Sequence, residues 1–435
     1  MTWASSSFLA AGLVVTLPVA GEIMGQPDTV SAETSYTAAT FLRDQKVSGV
    51  IRSDYLHSSK NLDNDTGFFG TTVQLKALPS ASEFLDGKLE LRITSPAIGD
   101  DAQTRSQLLE GYATLHFSSA DCRIGKQIIA WGRADGINPT DNLTPRDFTV
   151  QLPFDNDQRL GTTAVKLDLF LSQQLGLSLF ATPYFKPSII PPLPASYSVI
   201  ETSPAASLAN TEVGVKLNNI GESLDWSISY FRGFSLLPDL RLIGSTPTGP
   251  VVILHYDRIT VLGADFARNY GRYGLRGELA YVDTTDDAGT DIGIKNPYLF
   301  WVVGIDRTFF DNLNINVQLL QRHIRHYLDP ETVTDPLARD MAIQNAARDG
   351  QSHRRSSGIS FRISNRWFNN TLEAEVFSVL NLARHDRLVR PLLNYALNDQ
   401  WKGTLGAEWY SGPDNTPYGN LKQNSGAFAE LRYSF

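Results

Sequence analysis

The stretch Gly132–Leu160, GRADGINPTDNLTPRDFTVQLPFDNDQRL, concentrates the side chains best able to act on a passing charge. It carries Asp135, Asp141, Asp147, Asp155 and Asp157 beside Arg133, Arg146 and Arg159. Asn138-Pro139 and Thr144-Pro145 fix φ at two turns, which predicts an ordered loop. A second concentration follows much later in the chain: Arg322, His323, Arg325, His326, His353, Arg354, Arg355, Arg362, Arg366, Arg384, His385, Arg387 and Arg390. An acidic loop facing a basic wall across water would set a transverse field that orders water and favours polar solutes. The residues expected to form such a constriction are Arg133, Asp135, Asp141, Arg146, Asp147, Arg362, Arg366, Arg387 and Arg390. Solvated loop charges that touch nothing would have the same composition, so the positioning elements must decide.

Other chemistry finds little support. Gly-x-Ser-x-Gly and Gly-Lys-[Ser/Thr] do not occur. His323 and His326 have the spacing of a helical metal pair, but in a strand they point to opposite faces. His116 sits with Thr114 on one strand face, and no His aligns with an outward Ser to form a hydrolytic pair. Cys122 is the single cysteine, which excludes an intramolecular disulfide, a Cys₄ zinc site and a Cys-x-x-Cys-His haem attachment. No enzyme activity and no cofactor is expected.

Period-2 runs bounded by turn residues predict about 18 strands. They lie near 47–57, 66–77, 86–95, 107–117, 122–131, 161–171, 174–183, 210–218, 222–232, 257–267, 272–284, 297–308, 312–322, 356–366, 370–380, 388–398, 401–411 and 425–435. Leu89, Leu91 and Ile93 oppose Lys88, Glu90 and Arg92, and Val165, Leu167 and Leu169 oppose Lys166 and Asp168. Links after even-numbered strands are short, such as Ser118–Asp121, Arg268–Gly271 and Trp367–Asn369. The long ones, 132–160, 184–209, 233–256, 323–355 and 412–424, follow odd-numbered strands. Loop length sorted by strand parity predicts an all-β, transmembrane, antiparallel up-and-down β-barrel of about 18 strands (16–20), with short turns on the periplasmic side. Such a count leaves a lumen wide enough for water. The polar residues assigned to it, including Arg52, Arg92, Lys88, Glu90, Glu110 and Glu430, mix both signs with little apolar bulk. The fifth and fourteenth strands would stand roughly opposite one another.

Composition agrees. The chain is 42% hydrophobic with a mean hydropathy of -0.18, as expected when apolar and polar residues alternate across a barrel wall. The formal charge of -8 provides no basic footprint for nucleic acid. Phe8–Ala20 reads as the apolar core of a signal peptide spanning 1–20, without a basic segment ahead of it, so the true start is expected upstream or the signal is atypical. Residues 21–46 would form a periplasmic N-terminal segment and 47–435 the barrel.

Two resemblances follow. The last strand, with Ala427, Ala429, Leu431, Tyr433 and Phe435 on one face and Glu430 and Arg432 on the other, resembles the closing strand of Gram-negative outer-membrane barrels. In those proteins a terminal Phe is an assembly signal, which implies that Phe435 addresses the barrel-assembly machinery. Gly125, Lys126, Gln127, Trp131, Gly132, Asn138, Pro139 and Asp141 match a segment of a group of proteobacterial porin-like barrels whose substrates are poorly assigned. Porins commonly fold one long loop inward, and 132–160 is the natural candidate. The resemblance implies an outer-membrane channel for small polar or charged solutes, in contact with membrane lipid and lipopolysaccharide, with homo-oligomerisation left open. The alternatives are a barrel sheathing a partner multihaem cytochrome, or an omptin-like or phospholipase-like enzyme.

Overall fold

The computed structural model describes residues 46–435 except 59–65, 96–103, 151–154, 194–195, 248, 311 and 415. The expected signal peptide and nearly all of the expected periplasmic segment lie outside the described residues. Eighteen strands form the wall: β1 Ser48–Ser58, β2 Gly67–Ala77, β3 Leu85–Ser95, β4 Arg105–Phe117, β5 Ala120–Gln127, β6 Thr162–Phe170, β7 Leu175–Thr182, β8 Glu212–Asn219 and β9 Asp225–Phe234. They continue as β10 Arg258–Tyr270, β11 Tyr273–Thr284, β12 Tyr298–Phe309, β13 Leu313–Ile324, β14 Arg355–Trp367, β15 Leu372–Asn381, β16 Asp386–Ala396, β17 Trp401–Ser411 and β18 Gly426–Ser434. Each pairs antiparallel with its neighbours in sequence, and β1 pairs with β18 from Val50↔Ser434 to Ser58↔Gly426, closing the ring. All eighteen expected strands are present, and the fold is a transmembrane antiparallel β-barrel.

The alternation sets the two faces. Leu89, Leu91, Ile93, Val165, Leu319 and Ile363 stand exposed on the outer wall, whereas Arg52, Arg92, Glu110 and Glu430 are buried on the inner one. At the seam the Phe435 N–H donates to the Gly49 carbonyl (3.0 Å) and Gly49 N–H to the Phe435 carbonyl (2.8 Å). The Phe435 ring stacks on Tyr433 with centroids 6.0 Å apart. The turns after even-numbered strands are tight; Gly271, at φ 58°, takes the left-handed conformation that two-residue hairpins require.

The long loops build a crown at the other end, which strand periodicity did not predict. Strands 198–202, 239–246 and 249–255 form a separate small sheet, the first and last running parallel. A helix, Pro336–Asp349, covers it within what was expected to be loop 323–355. Its ends were legible: Asp335 accepts from the Ala338 N–H (2.7 Å), Pro336 opens the first turn, and Gly350 at φ 66° ends the last. Leu240, Val252, Leu254 and Met341 pack as the crown's core. The Asn345 side chain accepts from Leu240 N–H (2.8 Å) and donates to its carbonyl (2.9 Å), tying helix to sheet.

Beneath the crown core, Lys295 Nζ bonds Asp349 Oδ1 at 2.7 Å and stands 3.7 Å from Asp239 Oδ1. Burial drives Asp239 well above the usual carboxylate range despite Lys295. Burial would raise Asp349 too, but Lys295 and the hydrogen bond from Asp239 hold it below that range. Asp239 is thus the member of the pair that holds a proton more readily, and Asp349 the one that gives it up more readily.

Candidate functional site

The loop between β5 and β6 leaves the wall at Ile128, four residues earlier than the periodicity predicted, and turns into the lumen. An apolar cluster drives the turn. Ile129, Trp131 and Leu143 of the loop pack against inward-facing Ala164 of β6, Phe180 of β7, Phe231 of β9, Ile259 and Val261 of β10, and Ala280 and Val282 of β11. Each large side chain buried this way contributes about 1.5–3 kcal/mol. The expectation of a lumen with little apolar bulk is therefore corrected. Inward positions on β6–β11 include a hydrophobic sector, because a folded loop rather than water covers it.

Glu278 of β11 then fastens the loop. Its carboxylate accepts from the backbone N–H of Arg133 (3.1 Å), Ala134 (3.2 Å) and Thr140 (2.7 Å), the Thr140 hydroxyl (2.8 Å) and Asn138 Nδ2 (3.2 Å). Gly132 makes this approach possible: its φ is 100°, and a Cβ there would stand 2.5 Å from Glu278 Oε2. Arg133 bonds Asp265 of β10 and Asn218 of β8, the latter at 2.7 Å. The Asp135 N–H donates to Gln318 of β13 (3.0 Å), whose Nε2 donates to the Asp135 carbonyl (2.7 Å). Asp135 Oδ2 lies 3.4 Å from Arg362 Nε of β14. On the loop's return, Asp157 pairs with Arg52 of β1 and lies 3.5 Å from Arg92 of β3. The loop thus spans the lumen, meeting an arginine on each side.

Of the nine residues expected at a constriction, the structure brings together Arg133, Asp135 and Arg362. Asp141 is tied within the loop to Arg159 (2.8 Å) and Arg146 (3.4 Å). Asp147 is buried and accepts from Thr149 through both its N–H (2.9 Å) and hydroxyl (2.5 Å). Arg146, Asp141 and Asp147 therefore shape the loop instead of facing the far wall. Arg366 pairs with Glu373 (3.0 Å) and Arg390 with Glu408 (2.5 Å), so these wall arginines meet wall carboxylates. Arg387 is a correction. It bonds Ser411 Oγ (2.9 Å) from the outer face of β16, since a residue three positions before Arg390 must point the other way.

Water-accessible cavities lie beside the loop. One, of about 620 Å³, is lined by Arg52, Lys76, Lys88, Arg92, Arg159 and Arg432 against Glu90, Glu110 and Asp157. Another, of about 440 Å³, places Arg276, Arg362 and Arg366 against Asp135, Asp306, Glu373 and Glu375, with Asn312, Asn314 and Asn316. The first cavity sets six basic side chains against three acidic ones, and the second three against four. Glu278, Gln318 and Asp265 were not among the expected site residues. Glu278 and Asp265 sat in plain sight as inward carboxylates of their strands, but nothing in a strand pattern says which loop group a carboxylate receives.

An eighteen-stranded closed wall, an apolar outer face and a charged interior crossed by a loop define a porin-like transmembrane β-barrel. The solved structures most like it include OccAB4 of Acinetobacter baumannii, 12% identical over 89% of this chain and 97% of that one, with a TM-score of 0.52. OccK11 (OpdR) of Pseudomonas aeruginosa is 11% identical over 89% and 95%, with a TM-score of 0.49. At such identity the likeness to OccAB4 is one of fold. The chain belongs to the family described as protein of unknown function (DUF1302), whose model matches residues 23–435. No curated protein matches the sequence.

Proposed function

We propose that the protein is an outer-membrane channel of a Gram-negative bacterium that passes small polar or charged solutes by diffusion through a water-filled lumen narrowed by loop 128–161. The observation that carries this reading is the latch of Glu278 on the loop, together with the Asp135–Arg362 contact beyond it. A loop held on both walls, with charged water-accessible cavities of about 620 and 440 Å³ beside it, favours diffusion of small solutes over an electron conduit. The outer apolar face would meet lipid and lipopolysaccharide, and the strand ending at Phe435 would engage the assembly machinery. Planar-bilayer recording of the purified barrel tests the reading: stable channels with a measurable reversal potential support it, and a bilayer that stays sealed removes it.

Charge at the passage gives a sharper expectation. Arg362 is the cation nearest Asp135 and also lies 3.8 Å from Glu375. Arg362→Gln leaves those carboxylates facing water. A unit charge about 4 Å from a hydrated ion is worth about 1 kcal/mol, so the potassium-to-chloride permeability ratio should rise several-fold. The shift should shrink at high ionic strength. An unchanged ratio at low salt would place the ion path away from Arg362.

A further inference from the structure

Two arginines at the crown end of the lumen are packed together without a direct salt bridge among the described residues. Arg322, on the inner face of β13, lies with its guanidinium 4.6 Å from the centroids of both Tyr298 and Phe300 and donates from Nη1 to the Asp349 carbonyl. Arg384 reaches inward from the turn between β15 and β16. Both converge on Gly350, where a Cβ would stand 2.5 Å from Arg322 Nη1 and 3.8 Å from Arg384 Nη2. Among the described residues, neither guanidinium has a carboxylate within ion-pair distance. Arg384 Nε and Nη1 and Arg322 Nε are all buried with no hydrogen-bond partner. Ser356, directly across the ladder from Arg322, has a buried hydroxyl that is equally unpaired. Asp386, the acid nearest in charge to Arg384, has Oδ2 engaged by the Tyr418 N–H (2.8 Å), while its Oδ1 is buried without a hydrogen-bond partner.

Buried charges are ordinarily paired, and orphaned guanidinium N–H groups are costly. Adjacent guanidinium forks with a hydroxyl beside them suit the planar or tetrahedral oxygens of one anion. We infer that Arg322, Arg384 and Ser356 form a binding site for an oxyanion group, a carboxylate or a phosphate, carried by a solute entering the lumen from the crown. The rings of Tyr298 and Phe300 pack on the Arg322 guanidinium, and its Nε is the N–H left without a partner for the ligand to engage. The site does not depend on whether the barrel conducts, so its test is one of binding.

Titration calorimetry of the full barrel in a maltoside detergent, with sodium succinate and with sodium phosphate, should show a single site. Arg384→Gln and Arg322→Gln should each weaken it about tenfold or more, and Ser356→Ala by less. Unchanged strand content by circular dichroism shows that the variants fold. Absence of binding by both probes at millimolar concentration, or binding that survives Arg384→Gln, would overturn the inference and leave only hydrated arginines. The lipid source of the same chemistry is separated by reconstitution. Succinate affinity equal in phosphatidylcholine and in phosphatidic-acid vesicles supports a solute site. Competition by phosphatidic acid would assign the arginines to a headgroup and overturn the solute assignment.

Discussion

Glu278→Ala should convert a single-level channel into one that dwells mostly in a wider state. The carboxylate of Glu278 is 3% exposed and receives five donors from Arg133, Ala134, Asn138 and Thr140. Hydrogen bonds to a charged group are worth about 1.5–3 kcal/mol each, and a buried donor left unpaired adds a further cost. About 5.5 kcal/mol suffices to move a two-state equilibrium from 1:99 to 99:1. Losing the whole set exceeds that, even after discounting for water that reaches the vacated site. The barrel ladder is untouched, and the Trp131–Leu143 cluster keeps the rest of the loop anchored, so the variant should fold. Glu278→Gln, which retains an acceptor without the charge, should flicker between levels. Single-channel recording decides the matter: a Glu278→Ala trace with only the wild-type level would show that this arm of the loop does not narrow the path.

Lys295→Met should loosen the crown and leave the wall intact. Removing the cation leaves Asp239 and Asp349 buried against each other, and stranding a buried charge in this way costs about 3–5 kcal/mol. Hydrogen exchange should then rise in 239–255 and 336–349 with no change in β1–β18. The pH dependence has a definite sign. In the native protein Asp349 titrates below its ordinary range, so its contribution is present at neutral pH and lost as pH falls through that depressed value. Asp239, held high, contributes at low pH and loses that contribution as pH rises through its raised value. Without Lys295 both acids are raised, so the variant's crown should regain protection on acidification. Asp239→Asn, which keeps a side chain able to donate to Asp349 but cannot ionise, should protect the crown at least as well as wild type at alkaline pH. Native exchange in Lys295→Met would mean that the buried triad does not hold the crown.

The wall was readable because a barrel strand answers to two solvents at once. Leu89, Leu91 and Ile93 must face outward while Lys88, Glu90 and Arg92 face in, and that constraint writes itself into every second residue. The parity of loop lengths was legible for the same reason. What lay inside the lumen was less so. Phe180, Phe231 and Val282 occupy inward positions that a water-filled pore would give to polar residues, and their purpose appears only when Trp131 is seen packed on them. Arg387 shows the opposite case: the period-2 rule already separates it from Arg390, and a cluster counted by composition overlooked that. The pairing of Asp141 with Arg159, or of Arg390 with Glu408, depends on contacts between distant segments that no local pattern encodes.

The seam between β1 and β18 has a consequence for how the molecule is made. Gly49 and Phe435 exchange hydrogen bonds across nearly the full length of the chain. Every other wall pairing joins strands that are neighbours in sequence. A growing sheet of seventeen hairpin steps would therefore keep two bare edges until the last one, and each edge could template pairing with another molecule. Ring closure of such long range is entropically slow. The hazard in this protein's life thus lasts from the first hairpin until the wall becomes a circle, and slow closure prolongs its final interval.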